Sequence, residues 1–313
     1  MRKDIISSFA SPKNFQKKIA VNHKAGFVCI IGKPNVGKST LMNCMLGEKL
    51  SIVTPKAQTT RHRIKGILNG DDFQVVFSDT PGIIEPHYLL HDKMMEFVQA
   101  SLADADAVLF ISDLEETYMD EEIMNRLLAI TIPIIVVINK SDLSTQEEIN
   151  KLVHGWKKKL KPHAIIPISA TGNFNVDKVN ETILEVLPEA PPFFPKEDLS
   201  DLTERFFVAE MIREKIFLNY EKEIPYSTEV AIETFTEENG LIKIRAIIFV
   251  ERDSQKGIII GNKGDAIKQV GTQARKDMEN FLGKKVFLEL FVKVEKEWRK
   301  NELKLKRFGY SIR

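Results

Sequence analysis

Residues 32–39 read Gly32, Lys33, Pro34, Asn35, Val36, Gly37, Lys38 and Ser39, the G-x-x-x-x-G-K-S spacing of a phosphate-binding loop, and Thr40 follows. Two glycines let backbone N–H groups curl round a polyphosphate, and a helix beginning at Lys38 adds partial positive charge. Lys38 would reach the β- and γ-phosphates, and the Ser39 hydroxyl would ligand Mg2+. A glycine-rich turn can match this spacing. Here a β-rich run at 27–31 precedes it and helical periodicity follows, which is the context the chemistry requires.

A second cluster, Asp79, Thr80, Pro81 and Gly82, ends the β-rich run 73–78. A carboxylate at the C-terminal end of a parallel strand sits where an open sheet binds its ligands. Asp79 would hold Mg2+, through water, and the Gly82 N–H could contact the γ-phosphate; an ordinary turn is the alternative. Asn139, Lys140, Ser141 and Asp142 follow the apolar run 134–138. The Asp142 carboxylate can accept from both guanine N1–H and its exocyclic amine, a pair of donors adenine lacks. Asn139 would meet the other edge of the base and the Lys140 stem its face, while Ser169 and Ala170 would offer N–H groups to the base oxygen. A loop or helix cap is the bland reading of such a tetrapeptide.

Between these clusters lies Gln58-Thr59-Thr60-Arg61-His62, in a loop with Pro55. A threonine there can complete the metal shell only while a γ-phosphate is present, so hydrolysis would release the loop. Both Thr59 and Thr60 are candidates, with Thr60 preferred; a β-entry turn is the alternative. Ile83 stands just after Gly82, where many small GTPases carry a water-orienting Gln. Its side chain cannot hydrogen-bond, so unassisted hydrolysis is expected to be slow.

The elements that position these residues follow from the pattern. Runs at 27–31, 73–78, 107–112, 134–138 and 164–168 read as strands buried on both faces, with helices starting near Lys38, His91, Asp120, Thr145 and Asn175. That alternation predicts an α/β fold, a mostly parallel sheet with helices on both sides. Pro188, Pro191, Pro192 and Pro195 break it. Beyond them the order is a helix at 204–219, strands at 227–235 and 241–251 joined at Asn239-Gly240, a helix at 265–281 and a strand at 286–294. The expected organisation is a tail at 1–23, a nucleotide domain at 24–187, a linker at 188–200, a smaller α+β domain at 201–300 and a basic tail at 301–313.

In that second part Ile258, Ile259, Ile260, Gly261, Asn262, Lys263 and Gly264 join a β-rich run to a helix. A G-x-x-G before a helix is what a KH domain uses to clamp single-stranded RNA backbone, and the element order resembles the type II arrangement. Lys263 would supply charge at the tip, and the isoleucines an apolar groove for bases. A plain Gly-rich turn is the alternative. From residue 286 onward eight basic residues face four acidic ones, enough to gather phosphates. A solvated amphipathic helix with Trp298, Leu303 and Leu305 docked inward explains much of the same pattern.

The 313 residues suit about two domains, and a formal charge of +1 leaves partners to local clusters rather than bulk charge. The only cysteines, Cys29 and Cys44, lie in apolar segments, which fits buried thiols in a reducing compartment. No apolar run approaches the ~18 residues that span a bilayer. The first two dozen residues lack a secretory core, so a cytoplasmic protein is expected. Oligomeric state is open; no heptad seam is present, and a monomer is the expectation.

The set GKPNVGKST, QTTRH, DTPG, NKSD and ISA, with the ending RFGY, resembles the Era family of GTPases over residues 24–310. The resemblance implies a slow GTP/GDP cycle with Mg2+, in which Lys38, Asn35 and Thr60 serve catalysis. In related GTPases sharing an Asn at position 35, a potassium ion offsets transition-state charge, so K+ is a further expectation; a loop-stabilising role for Asn35 is the alternative. The resemblance also implies binding near the 3′ end of small-subunit (16S) ribosomal RNA, a role in assembling the small ribosomal subunit, and a minor peripheral contact with the inner membrane. Two rival readings are an RNA-binding module that does not hydrolyse GTP and a membrane-surface switch.

Overall fold

The structure, a computed structural model, describes residues 23–114 and 121–311. The expected N-terminal tail, apart from His23, and Arg313 of the basic tail lie outside the described residues.

Six strands form the first sheet: β1 (Lys24–Ile31), β2 (Ile64–Asn69), β3 (Phe73–Asp79), β4 (Ala107–Ser112), β5 (Ile134–Ile138) and β6 (Ala164–Pro167), in the order β2-β3-β1-β4-β5-β6. All neighbours are parallel except β2, which runs antiparallel to β3 at the edge. The intervening helices are α1 (Lys38–Leu46), α2 (Leu89–Ala103), α3 (Glu121–Leu128), α4 (Gln146–Lys159) and α5 (Val176–Val186). Side chains alternate across a strand, so each central strand feeds two cores. Val28, Ile30, Leu109, Ile111, Ile135 and Val137 enter the layer shared with α1 and α5. Cys29, Ile31, Val108, Phe110, Val136 and Ile138 enter the layer shared with α2 and α4. Each fully buried aliphatic contributes about 1.5–3 kcal/mol, which is why these runs carry almost no polar residues. Burial pushes the Cys29 thiol up to about 12, so it is inert, and both cysteines are free.

The second sheet holds β7 (Glu229–Glu238), β8 (Leu241–Val250) and β9 (Lys285–Val294) in that order, β7 antiparallel and β9 parallel to β8. Asn239 and Gly240 both take positive φ, as a two-residue hairpin turn demands. The helices here are α6 (Glu204–Asn219), α7 (Ile224–Ser227), α8 (Asp253–Ile260), α9 (Asp265–Leu282) and α10 (Glu302–Arg307).

Several sequence expectations need correction. β2 was not anticipated, because Lys65, Gly66 and Asn69 dilute its apolar signal and pairing with β3 decides its state. The strand expected from Ser227 begins at Glu229, since Ile224–Ser227 is a helical turn with Pro225 at its start. The Ile258–Ile260 run, β-branched and strand-like in composition, is the last turn of α8; Gln255 returns to the backbone N–H of Glu251 and Arg252 and caps its start. Trp298 and Leu305 are buried as expected, but Leu303 is 80% exposed. The C-terminal residues do not form a free helix. Trp298, Leu305 and Tyr310 complete the α2 side of the first sheet's core, and the Trp298 indole donates to the Ser227 carbonyl at 2.9 Å.

Candidate nucleotide and RNA sites

The loop 32–37 turns sharply between β1 and α1. Gly37 has φ +99, and a Cβ there would lie 2.2 Å from the Asn139 amide, so no other residue fits. Lys38 is buried and its ammonium donates to the carbonyls of Gly32 (3.1 Å) and Lys33 (2.7 Å), poised where phosphate oxygens would compete for it. The Val36 side chain is buried in the core. Pro34, Asn35, Thr40, Gly82 and Pro55 line the opening. Asn35 is exposed, with a left-handed backbone.

Three oxygens converge beneath the loop. The Ser39 hydroxyl donates to Asp79 Oδ2 at 2.6 Å and lies 2.8 Å from the Thr60 hydroxyl. Asp79 is fully buried and its other oxygen, Oδ1, has no hydrogen-bond partner among the described residues. Burial pushes its carboxyl above the usual range, against the pull of the Ser39 hydroxyl and the Lys38 charge. An orphaned buried carboxylate oxygen is costly unless a cation or water meets it. Carboxylate and hydroxyl oxygens are the hard donor set that suits Mg2+, and no cluster of three His, Cys, Asp or Glu suited to a softer metal exists among the described residues. Thr59 turns away, its hydroxyl bonded to Thr54 Oγ1 and the Lys56 carbonyl, both at 2.6 Å.

The Asp79–Ile83 stretch is divided. Thr80 is buried and donates to the Ile30 carbonyl at 2.7 Å, and Pro81 is buried beside it, so neither side chain reaches the cleft. The Ile83 N–H bonds the Gly32 carbonyl at 3.1 Å while its side chain packs against the α2 layer, leaving no side-chain base.

Behind the loop, Asn139 is a strut. Its amide donates to Val36 O at 2.8 Å and accepts from the Ala170 N–H at 3.0 Å, tying three segments together. The Ser169 and Ala170 N–H groups, expected to offer hydrogen bonds to a base oxygen, donate here to Phe174 O at 3.2 Å and to Asn139 Oδ1. Lys140, at φ +63, pairs with Asp113 at 2.8 Å, and Asp142 is exposed in the turn that follows.

In the second domain Gly261, Asn262, Lys263 and Gly264 form the turn between α8 and α9. Gly261 has φ +73, and a Cβ would meet Ala266 Cβ at 2.5 Å, which is why the two helices can approach. Asn262 and Lys263 are exposed at the tip. Ile258 is 50% exposed and Ile260 half-buried, but Ile259 is wholly buried in the core. A groove lined by all three isoleucines is thus not formed: in a helix they point in three directions, and Ile259 is the one that enters the core.

Sequence reasoning missed a set of buried charges between the domains: Arg61, Glu210, Arg213, Glu214 and Glu229. The readable signal was four charged residues, at 210 and 213–215, inside a helix otherwise patterned for burial.

Comparison with known proteins gives the family of each part of the chain. Residues 27–140 match the family described as 50S ribosome-binding GTPase, and residues 223–299 match the KH domain family. The GTPase Era of Geotalea daltonii is 45% identical over 92% of this chain and 98% of its own. The chloroplastic GTPase ERA1 of Zea mays is 44% identical over 94% of this chain and 72% of its own. A crystal structure of Era in complex with MgGDPNP and nucleotides 1506–1542 of 16S ribosomal RNA superposes with a TM-score of 0.89 at 41% identity, covering 93% of this chain and all of that one.

Proposed function

The chain belongs to the Era family of GTPases, and on that premise we propose that it is a GTP-hydrolysing switch that binds single-stranded RNA near the 3′ end of small-subunit (16S) ribosomal RNA during assembly of the small ribosomal subunit. The observation that carries this reading is the meeting of Ser39, Thr60 and Asp79 beneath the phosphate loop, in a chain that also presents an exposed G-x-x-G tip.

Ser39, Thr60 and Asp79 would hold Mg2+, Thr60 only in the GTP form, and Thr59 drops out of the metal set. When bound, Mg2+ offsets charge on the β- and γ-phosphates. Lys38 exchanges its two loop carbonyls for phosphate oxygens, and the backbone of Gly82 and Ile83 closes the γ side. Asp142 selects guanine, with Lys140 held in place by Asp113. Because Ile83 cannot orient water, the reaction rests on charge neutralisation around the loop. Asn35, exposed at the mouth, is placed to help bind K+ there. Turnover in potassium buffer is then expected to exceed that in sodium by about tenfold or more, and equal rates would remove the ion from the account.

The RNA half of the reading is tested by N262D/K263D. Reversing charge at the exposed tip is expected to weaken single-stranded RNA binding by about a hundredfold while basal GTP turnover without RNA stays within about twofold. Retained RNA affinity would show that the turn is only a helix connection. No described helix is long and apolar enough to cross a membrane. We place the protein in the cytoplasm as a monomer. Of the C-terminal cations, Arg299 and Lys304 pair with Glu251 and Glu295 and Arg307 covers Phe249, so these three are engaged within the protein.

A further inference from the structure

The loop that carries Thr60 is gripped on both sides of that residue by the second domain. Before it, the Thr59 carbonyl accepts from the Arg213 guanidinium of α6, itself held by Glu210 through Nε–Oε1 at 2.7 Å. After it, the Arg61 guanidinium enters the second domain and donates to the carbonyls of Thr228 (2.8 Å), Pro225 (3.0 Å) and Tyr226 (3.1 Å), with Glu229 at 3.5 Å. The same Glu229 carboxylate accepts from the Tyr310 hydroxyl at 2.6 Å, and the His62 ring stacks on Tyr310 at 4.3 Å. Further back, Lys56 donates to the Phe217 and Tyr220 carbonyls at the end of α6, and Glu214 accepts from the Val53 N–H.

Arg61, Arg213, Glu210 and Glu229 are all buried. Charges taken out of water hold their geometry, because each broken contact leaves an unpaired buried group. Thr60 is the one residue between the two grips. Its backbone cannot shift away from Ser39 without pulling a guanidinium out of its contacts. An interface needed only for adhesion has no reason to place two buried guanidiniums on the residues flanking the metal-facing threonine.

We propose that the second domain braces the nucleotide site: Arg213 and Arg61 are positioning residues that hold Thr60 in its metal-binding place, so that undocking this domain loosens the γ-phosphate side of the site and spares the GDP side. The proposal deepens the function given above and rests on Thr60 being a metal ligand.

The test measures the Mg2+ concentration that half-saturates GTP turnover, together with GDP affinity, on full-length protein. E210M/R213M replaces the buried pair with apolar side chains of similar volume, a change that often leaves folding intact. It is expected to raise the Mg2+ requirement and lower turnover about tenfold each, with GDP affinity within about twofold, since small misplacements of a reacting group are amplified in rate. Lys56→Ala, a less buried change that loosens the same loop, is expected to move both in the same direction by about threefold, and it decides the matter if the double variant does not fold. Unchanged Mg2+ requirement and turnover in a folded variant would overturn the brace. Thr60→Ala separates the two levels. If it alone raises the Mg2+ requirement, the metal reading stands and the brace fails; if it too changes nothing, the metal reading fails and takes the brace with it.

Discussion

Lys38→Ala is expected to lower GTP turnover by about a thousandfold or more, because the developing negative charge on the transferred phosphoryl group loses its only buried ammonium at the loop. The cause is visible before any nucleotide binds. Lys38 is 6% exposed and its Nζ already donates to two loop carbonyls, so the alanine variant loses a phosphate ligand and takes the ammonium from Gly32 O, which keeps the Ile83 N–H, and from Lys33 O. Release of phosphate from GTP under single-turnover conditions is the measurement. A variant within about tenfold of the parent would mean that the loop binds without catalysing. It would also favour an RNA-binding module whose nucleotide is only structural.

Asp142→Asn is expected to weaken GTP binding by about a hundredfold or more and to raise relative affinity for xanthine nucleotides. A carboxylate that accepts from two guanine donors is worth about 1.5–3 kcal/mol per charged hydrogen bond, and asparagine presents a donor where one acceptor stood. Asp142 is exposed, so its replacement leaves the fold untouched and the change in base preference can be read directly from competition binding. By contrast, Asn139→Ala would confound the experiment, because Asn139 binds Val36 and Ala170 across the core of the site. Unchanged GTP affinity in Asp142→Asn would place base recognition elsewhere.

What was legible in the chain and what was not divides along physical lines. Local chemistry at fixed spacing was readable: Gly32, Gly37, Lys38 and Ser39 are constrained by a turn that few sequences satisfy, and β4 and β5 by burial on both faces. β2 and α8 were not, since an edge strand and a helix of β-branched isoleucines take their state from what they pack against. The choice between Thr59 and Thr60 also lay beyond the sequence. Both are adjacent threonines: the Thr59 hydroxyl is taken by Thr54 and the Lys56 carbonyl, while the backbone beside Thr60 is held by Arg213 and Arg61 contacts more than a hundred residues away in the chain. The same holds for the C-terminus. Inward docking of Trp298 and Leu305 was legible as an amphipathic pattern, but its destination in the first domain's core and the stacking of His62 on Tyr310 were not.

This interlocking makes one domain's state matter to the other. A switch loop anchored in the second domain gives nucleotide and RNA a shared element to bias, and coupling between two such sites is reciprocal, about 5–150-fold in affinity for a typical device. The central claim is therefore tested most directly by the affinity of the full-length protein for a single-stranded RNA bearing the 3′ end of small-subunit ribosomal RNA, measured with GDPNP and then with GDP at one salt concentration. The account predicts binding about tenfold or more tighter with GDPNP. Equal affinity in the two nucleotide states would contradict it.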